Sequence, residues 1–156
     1  TSKPNIAIVG KNQDNKFINI IRDVTTKECP QLKMIRIDGS IYFGAVDGIS
    51  TYFTDLYEKN DQKYLLIIAN GINFIDIAGA EWLSQEVLKW RSRGGGIYFV
   101  GLKLISQDVL QKGGFTKMIG EEYFFKDKNT AIATIYKNLD KEICSECKVK
   151  IYDECS

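Results

Sequence analysis

The chain predicts a single α/β domain over residues 1–156, a mixed sheet of about four to six short strands with about four helices mostly on one side. Three observations carry this. Residues 64–69, Tyr-Leu-Leu-Ile-Ile-Ala, are apolar at every position, the mark of a central strand covered on both faces. From there to Leu139, strand-like and helix-like periods alternate, which implies parallel strands joined by right-handed crossovers. Glycines close the helical stretches at 94–96 and 113–114.

The elements follow in order. Ile6 to Val9 reads as a short strand closed by Gly10, the polar run Lys11 to Lys16 as a turn, and Phe17 to Ile21 as a second strand. Leu32 to Ile37 alternates as a strand that Asp38-Gly39 turns, with Ile41 to Phe43 as the returning hairpin arm. Gly44 opens a helix whose Val46, Ile49, Phe53 and Leu56 recur at the 3.6-residue period, and Asn60-Asp61 ends it. After the strand at 64–69 comes a loop, Asn70 to Ile75. A helix then runs from Asp76 to Arg93, with Ala80, Leu83, Val87 and Trp90 facing inward. Ile97 to Val100 is another strand. Ser106 caps a short helix, Tyr123 to Phe125 forms a last strand, and Asp127 caps a helix that buries Ala131, Ile132, Ile135 and Leu139. Lys148 to Tyr152 alternates like an edge strand guarded by lysines.

Composition removes several function classes. Lys and Arg total 21 against 20 Asp and Glu, so the chain has no field to gather nucleic acid or an anionic membrane. No apolar run approaches the ~20 residues that cross a bilayer. Histidine is absent altogether, which excludes hydrolase triads and His-based metal sites. Gly94 to Gly96 lacks a following Gly-Lys-Ser/Thr and precedes a strand, so it is a helix stop and not a phosphate cradle. The start at Thr1-Ser2 in place of Met reads as a trimmed fragment.

Three local patterns, in this order, resemble the STAS module at the C-terminal end of SulP-type anion transporters. They are Arg36-Ile37-Asp38-Gly39-Ser40-Ile41-Tyr42-Phe43-Gly44-Ala45, the strand and loop from Ile68 to Asp76-Ile77-Ala78-Gly79, and the tail that holds Cys144, Cys147 and Ile151-Tyr152-Asp153-Glu154-Cys155. The resemblance implies a non-catalytic regulatory or protein-binding domain with no cofactor. It places the domain on the cytoplasmic face of the inner membrane, soluble as a fragment and partnered by the transmembrane domain of the same polypeptide. A cytoplasmic protein, a nucleotide or a small anion are further partners in this reading. In stand-alone STAS proteins that antagonise anti-sigma factors, a phosphorylatable Ser follows the Asp; here that position is Ile77, followed by Ala78. This departure favours the transporter module over the rival, a stand-alone antagonist-like signalling protein.

The expected contact surface comprises Phe43, Gly44, Asn70, Asn73, Asp76, Ile77, Ala78, Gly79 and Trp82. Asp76 sits where an N-cap belongs, ready to accept from the amide of Ala78 or Gly79. Asn70, Gly71 and Asn73 read first as turn chemistry. The helix start at Gly44 has no acidic cap, leaving amides for an anion. Trp82 lies opposite the inward stripe of its helix and on an ideal wheel points away from the core, either as an interface anchor or under a covering tail or loop. Cys144, Cys147 and Cys155, in a tail over 143–156 with Cys29 distant, carry a zinc or redox alternative. Against it stands the default of reduced, incidental thiols.

Overall fold

The computed structural model describes residues 3–155; Thr1, Ser2 and Ser156 fall outside it. Seven strands form one mixed sheet: β1 (Asn5–Lys11), β2 (Phe17–Asn19), β3 (Leu32–Ile41), β4 (Tyr64–Ile68), β5 (Ile72–Ile75), β6 (Gly96–Val100) and β7 (Phe124–Phe125). Their order is β2-β1-β3-β4-β6-β7. The β2–β1 and β1–β3 pairings are antiparallel, and β3, β4, β6 and β7 run parallel to one another. Six helices connect them: α1 (Val46–Lys59), α2 (Ile77–Ser92), α3 (Leu104–Lys112), α4 (Phe115–Ile119), α5 (Lys128–Tyr136) and α6 (Lys141–Glu146). The predicted α/β class and mixed sheet hold, with strands and helices at slightly higher counts.

Strand alternation divides the core in two. Ile35, Ile37, Leu65, Ile67, Ile97 and Phe99 point to the face covered by α1 and α2, where Phe53, Leu83, Val87 and Trp90 meet them. Met34, Leu66, Ile68, Tyr98 and Val100 point to the other, under Ala131, Ile132 and Ile135 of α5 and the tail residue Tyr152. The all-apolar run at 64–69 is therefore the strand buried on both faces that its composition demands.

Several elements differ from expectation. Asp38-Gly39 does not turn β3 back; the strand continues to Ile41 through a register shift at Gly39, whose φ is 126°. That positive φ is why a glycine sits mid-strand. The loop after β4 contains β5, which pairs with Gly39, Ser40 and Ile41 and so takes up β3 where β4 leaves it. The second strand stops at Asn19, whose side chain caps a short 3-10 turn over Ile20–Arg22. Ser106 is not a cap: α3 begins two residues earlier and Ser106 is buried inside it. Val46 is only half-buried, beside fully buried Ile49 and Phe53. Lys148 to Tyr152 is not a strand; Lys150 adopts φ 39°, which breaks any extended run.

Candidate functional site

The parallel strands deliver their C-terminal ends to one edge of the sheet, where α1, α2 and α3 begin. Asp76 organises it. Its backbone is extended and its side chain caps α2, Oδ1 accepting from the Gly79 amide at 2.7 Å. Its second oxygen, Oδ2, accepts from the Phe43 amide at 3.0 Å. The Asp76 amide in turn donates to the Ile41 carbonyl at 3.2 Å. One carboxylate thus caps α2 and ties it to the turn that leads into α1. Gly79 makes the seat possible, since a Cβ there would lie 2.1 Å from the Ile41 carbonyl oxygen.

Asp76 therefore has the expected capping role, with Gly79 as its donor. At the start of α1, where free amides are expected, no side chain caps α1 itself, but three of the amides are taken. The Phe43 amide is taken by Asp76, and those of Ala45 and Val46 return to the carbonyls of Tyr42 and Phe43. The anion at this end is the protein's own carboxylate.

The predicted residues separate into two groups. Phe43, Gly44, Ala78 and Trp82 line one groove of about 480 Å³ between the starts of α1 and α2. Asn70, Asn73 and Ile77 lie outside it; Asn73 accepts from Lys103 Nζ at 3.2 Å. Phe43 is 78% exposed and Ile77 57% exposed, so both hold apolar side chains in water. Trp82 does not point freely outward: it is half-buried, its ring edge-on to Phe53 at 5.0 Å. Its helix alone leaves it outside, but α1 reaches across and packs on it.

Other apolar side chains at this edge lay outside the sequence reading. Phe74 on β5 and Leu104 and Ile105 at the start of α3 are exposed, extending the surface beyond Ile77. The signal for the last two was available: consecutive apolar residues directly before Ser106 in a short helix.

The cysteines lie at the opposite end of the sheet. Cys29, expected to be distant, belongs to the same core cluster as Cys144 and Cys155. Gln31 joins them, donating from its amide to Cys29 Sγ and from Nε2 to Cys144 Sγ, each at 3.4 Å. Burial pushes the Cys29 thiol up, away from thiolate character. Among the described residues no three His, Cys, Asp or Glu side chains form a group that could hold a metal ion. Nor is any described helix long and apolar enough to cross a membrane.

The family model described as STAS domain matches residues 23–141. A Bacillus subtilis protein named as a candidate sulfate transporter, YvdB, is 25% identical over 99 residues, covering 64% of this chain and 18% of its own length. The chain thus spans about a fifth of that relative. The murine anion transporter Slc26a9, in its inward-facing state, superposes with a TM-score of 0.74 at 15% identity, over 88% of this chain and 23% of its own. An anti-sigma factor antagonist from Mycobacterium paratuberculosis superposes with a TM-score of 0.56 at 10% identity, over 85% of this chain and 95% of its own.

Proposed function

The chain belongs to the STAS domain family, and from that premise we propose that it is the non-catalytic regulatory domain of a SulP-type secondary transporter of sulfate-like anions. It works on the cytoplasmic face of the inner membrane, against the transmembrane domain of its own polypeptide. The relative named for sulfate transport supports this reading, and so does the small share of that relative which the chain spans.

The observation that carries it is the edge around Asp76. Its backbone is locked by one carboxylate, while Phe43 and Ile77 are held out in solvent. A rigid base with exposed apolar anchors is the form of a protein contact surface, not of an active site. No histidine is present to act as a general base there. The position after Asp76 carries Ile77, which has no hydroxyl to phosphorylate, so the contact is constitutive or governed from elsewhere.

A second reading, a free-standing antagonist-like signalling protein, rests on the fold shared with the mycobacterial antagonist. One experiment separates the two: an antibody against this domain, applied to fractionated native cells. The transporter reading expects a band several times larger than 17.7 kDa in the inner-membrane fraction. A band near 17.7 kDa in the soluble fraction would replace it with the signalling reading.

A further inference from the structure

The face of the sheet that carries α5 has an anomaly on its central strand. Along β3 that face reads Leu32, Met34, Arg36, Asp38. The first two are buried in the core, and the last two are charged and half-exposed. Charged residues on the inward side of a central strand call for an explanation. Here α5 packs on β4, β6 and β7, to one side of β1 and the far half of β3.

The uncovered corner is a cleft of about 380 Å³. Its apolar lining comes from Ala7, Val9 and Ile68, with Phe17 beside them. Arg22, Arg36 and Lys128 reach it from three separate segments, and Asp38 is the single acidic lining residue. Asp38 is already engaged, both its oxygens accepting from Arg36 Nε at 3.0 and 3.1 Å. The terminal guanidinium nitrogens of Arg36 make no hydrogen bond among the described residues, and neither Arg22 nor Lys128 joins an ion pair there. The Lys128 ammonium lies over the Phe17 ring, 4.2 Å from its centroid. Burial, then the charges of Arg36 and Lys11, hold Lys128 below the usual lysine range.

Solvated surface cations are ordinarily spread apart and carry no message. These converge in a concavity of a chain whose charges otherwise nearly cancel, and Asp38 offsets only one of the three, so an added anion would relieve the remaining excess of positive charge. Arginine forks and a lysine point charge suit a tetrahedral oxyanion, with its oxygens as acceptors.

We propose that the cleft between β1, β3 and the start of α5 binds a sulfate or phosphate group through Arg22, Arg36 and Lys128. The group is either free or the end of a small organic molecule whose body lies on Phe17 and the apolar floor. This site is separate from the Asp76 edge and stands whether or not the carrier reading does.

The test is calorimetric titration of the 156-residue chain with sulfate, inorganic phosphate and AMP at constant ionic strength. Saturable binding of one equivalent is expected for at least one probe. Arg36→Gln and Lys128→Met should each weaken it about tenfold, the loss of one charge-assisted hydrogen bond. Lys103→Met, which removes the same charge at the other edge, should leave it unchanged. Should Arg36→Gln disturb folding, Arg22→Ala on an exposed position serves in its place. AMP binding tighter than phosphate identifies the organic source; equal affinities identify the free oxyanion. No saturable heat from any probe, or equal weakening by Lys103→Met, would overturn the proposal.

Discussion

The edge around Asp76 and the cleft around Arg36 are built in opposite senses. At the edge, the carboxylate is satisfied by two amides and the apolar side chains of Phe43 and Ile77 are left in water. In the cleft, the apolar residues form part of the lining and three cations face a single carboxylate, Asp38, which is taken by Arg36 Nε. Unmatched apolar surface asks for another protein, while unmatched charge in a concavity asks for a small ion. The two sites should therefore respond differently to the same kind of substitution, in stability as well as in binding.

The largest effect belongs to the packing beneath the edge. Gly79→Ala would put a Cβ against the Ile41 carbonyl, a backbone group with little room to give. A loss of about 3 kcal/mol is expected, near the upper end for overpacking. Thermal unfolding should show a Tm lowered by roughly 6–12 °C for a chain of this size. Next is Asp76→Ala, which removes an N-cap and a second amide partner together and should cost about 1–2 kcal/mol in urea unfolding. Asp76→Asn can keep the Gly79 bond but turns an amide donor toward the Phe43 N–H, so roughly half that cost is expected.

A second carboxylate on α2 provides the counter-case. Glu86 is 7% exposed with an unpartnered oxygen, and burial raises its pKa despite Lys89 and Trp90. A raised folded-state pKa for an acid means the native state binds the extra proton. Stability therefore falls as pH climbs from the ordinary carboxyl pKa through the folded one. Glu86→Gln should be more stable than the parent at pH 7 and no more stable at pH 4, as read by unfolding at the two values. An unchanged difference between the two pH values would contradict the burial argument. The smallest stability effects belong to the exposed groups: Phe43→Ser and Ile77→Ser should each move unfolding by less than about 0.5 kcal/mol. Their consequences are expected in binding alone.

Much of this molecule was legible along its own chain. The strand at 64–69, the inward stripe of α2 and the cap at Asp76 depend on neighbours within a few residues, and local pattern captures them. What escaped depends on distant partners. The segment 72–75 lies among Asn and Gly residues and reads as a turn, yet it is a strand because β3 outruns β4 and offers free pairing positions. Trp82 falls outside its own helix's stripe, and only the approach of Phe53 from α1 half-buries it. Cys29 meets the tail through Gln31 across more than a hundred residues of sequence. The cleft draws Arg22, Arg36 and Lys128 from three segments that no spacing connects.

The central proposal is that the Asp76 edge is where the domain would meet the transmembrane part of a parent polypeptide. It is tested most directly by a photo-crosslinking residue placed at Phe43 in the native full-length protein, with a second placed at Arg22 as the comparison. The account predicts that Phe43 crosslinks to a membrane-spanning segment of the same polypeptide and that Arg22 does not. Crosslinking from Arg22 alone, or from Phe43 to a soluble protein only, would contradict it.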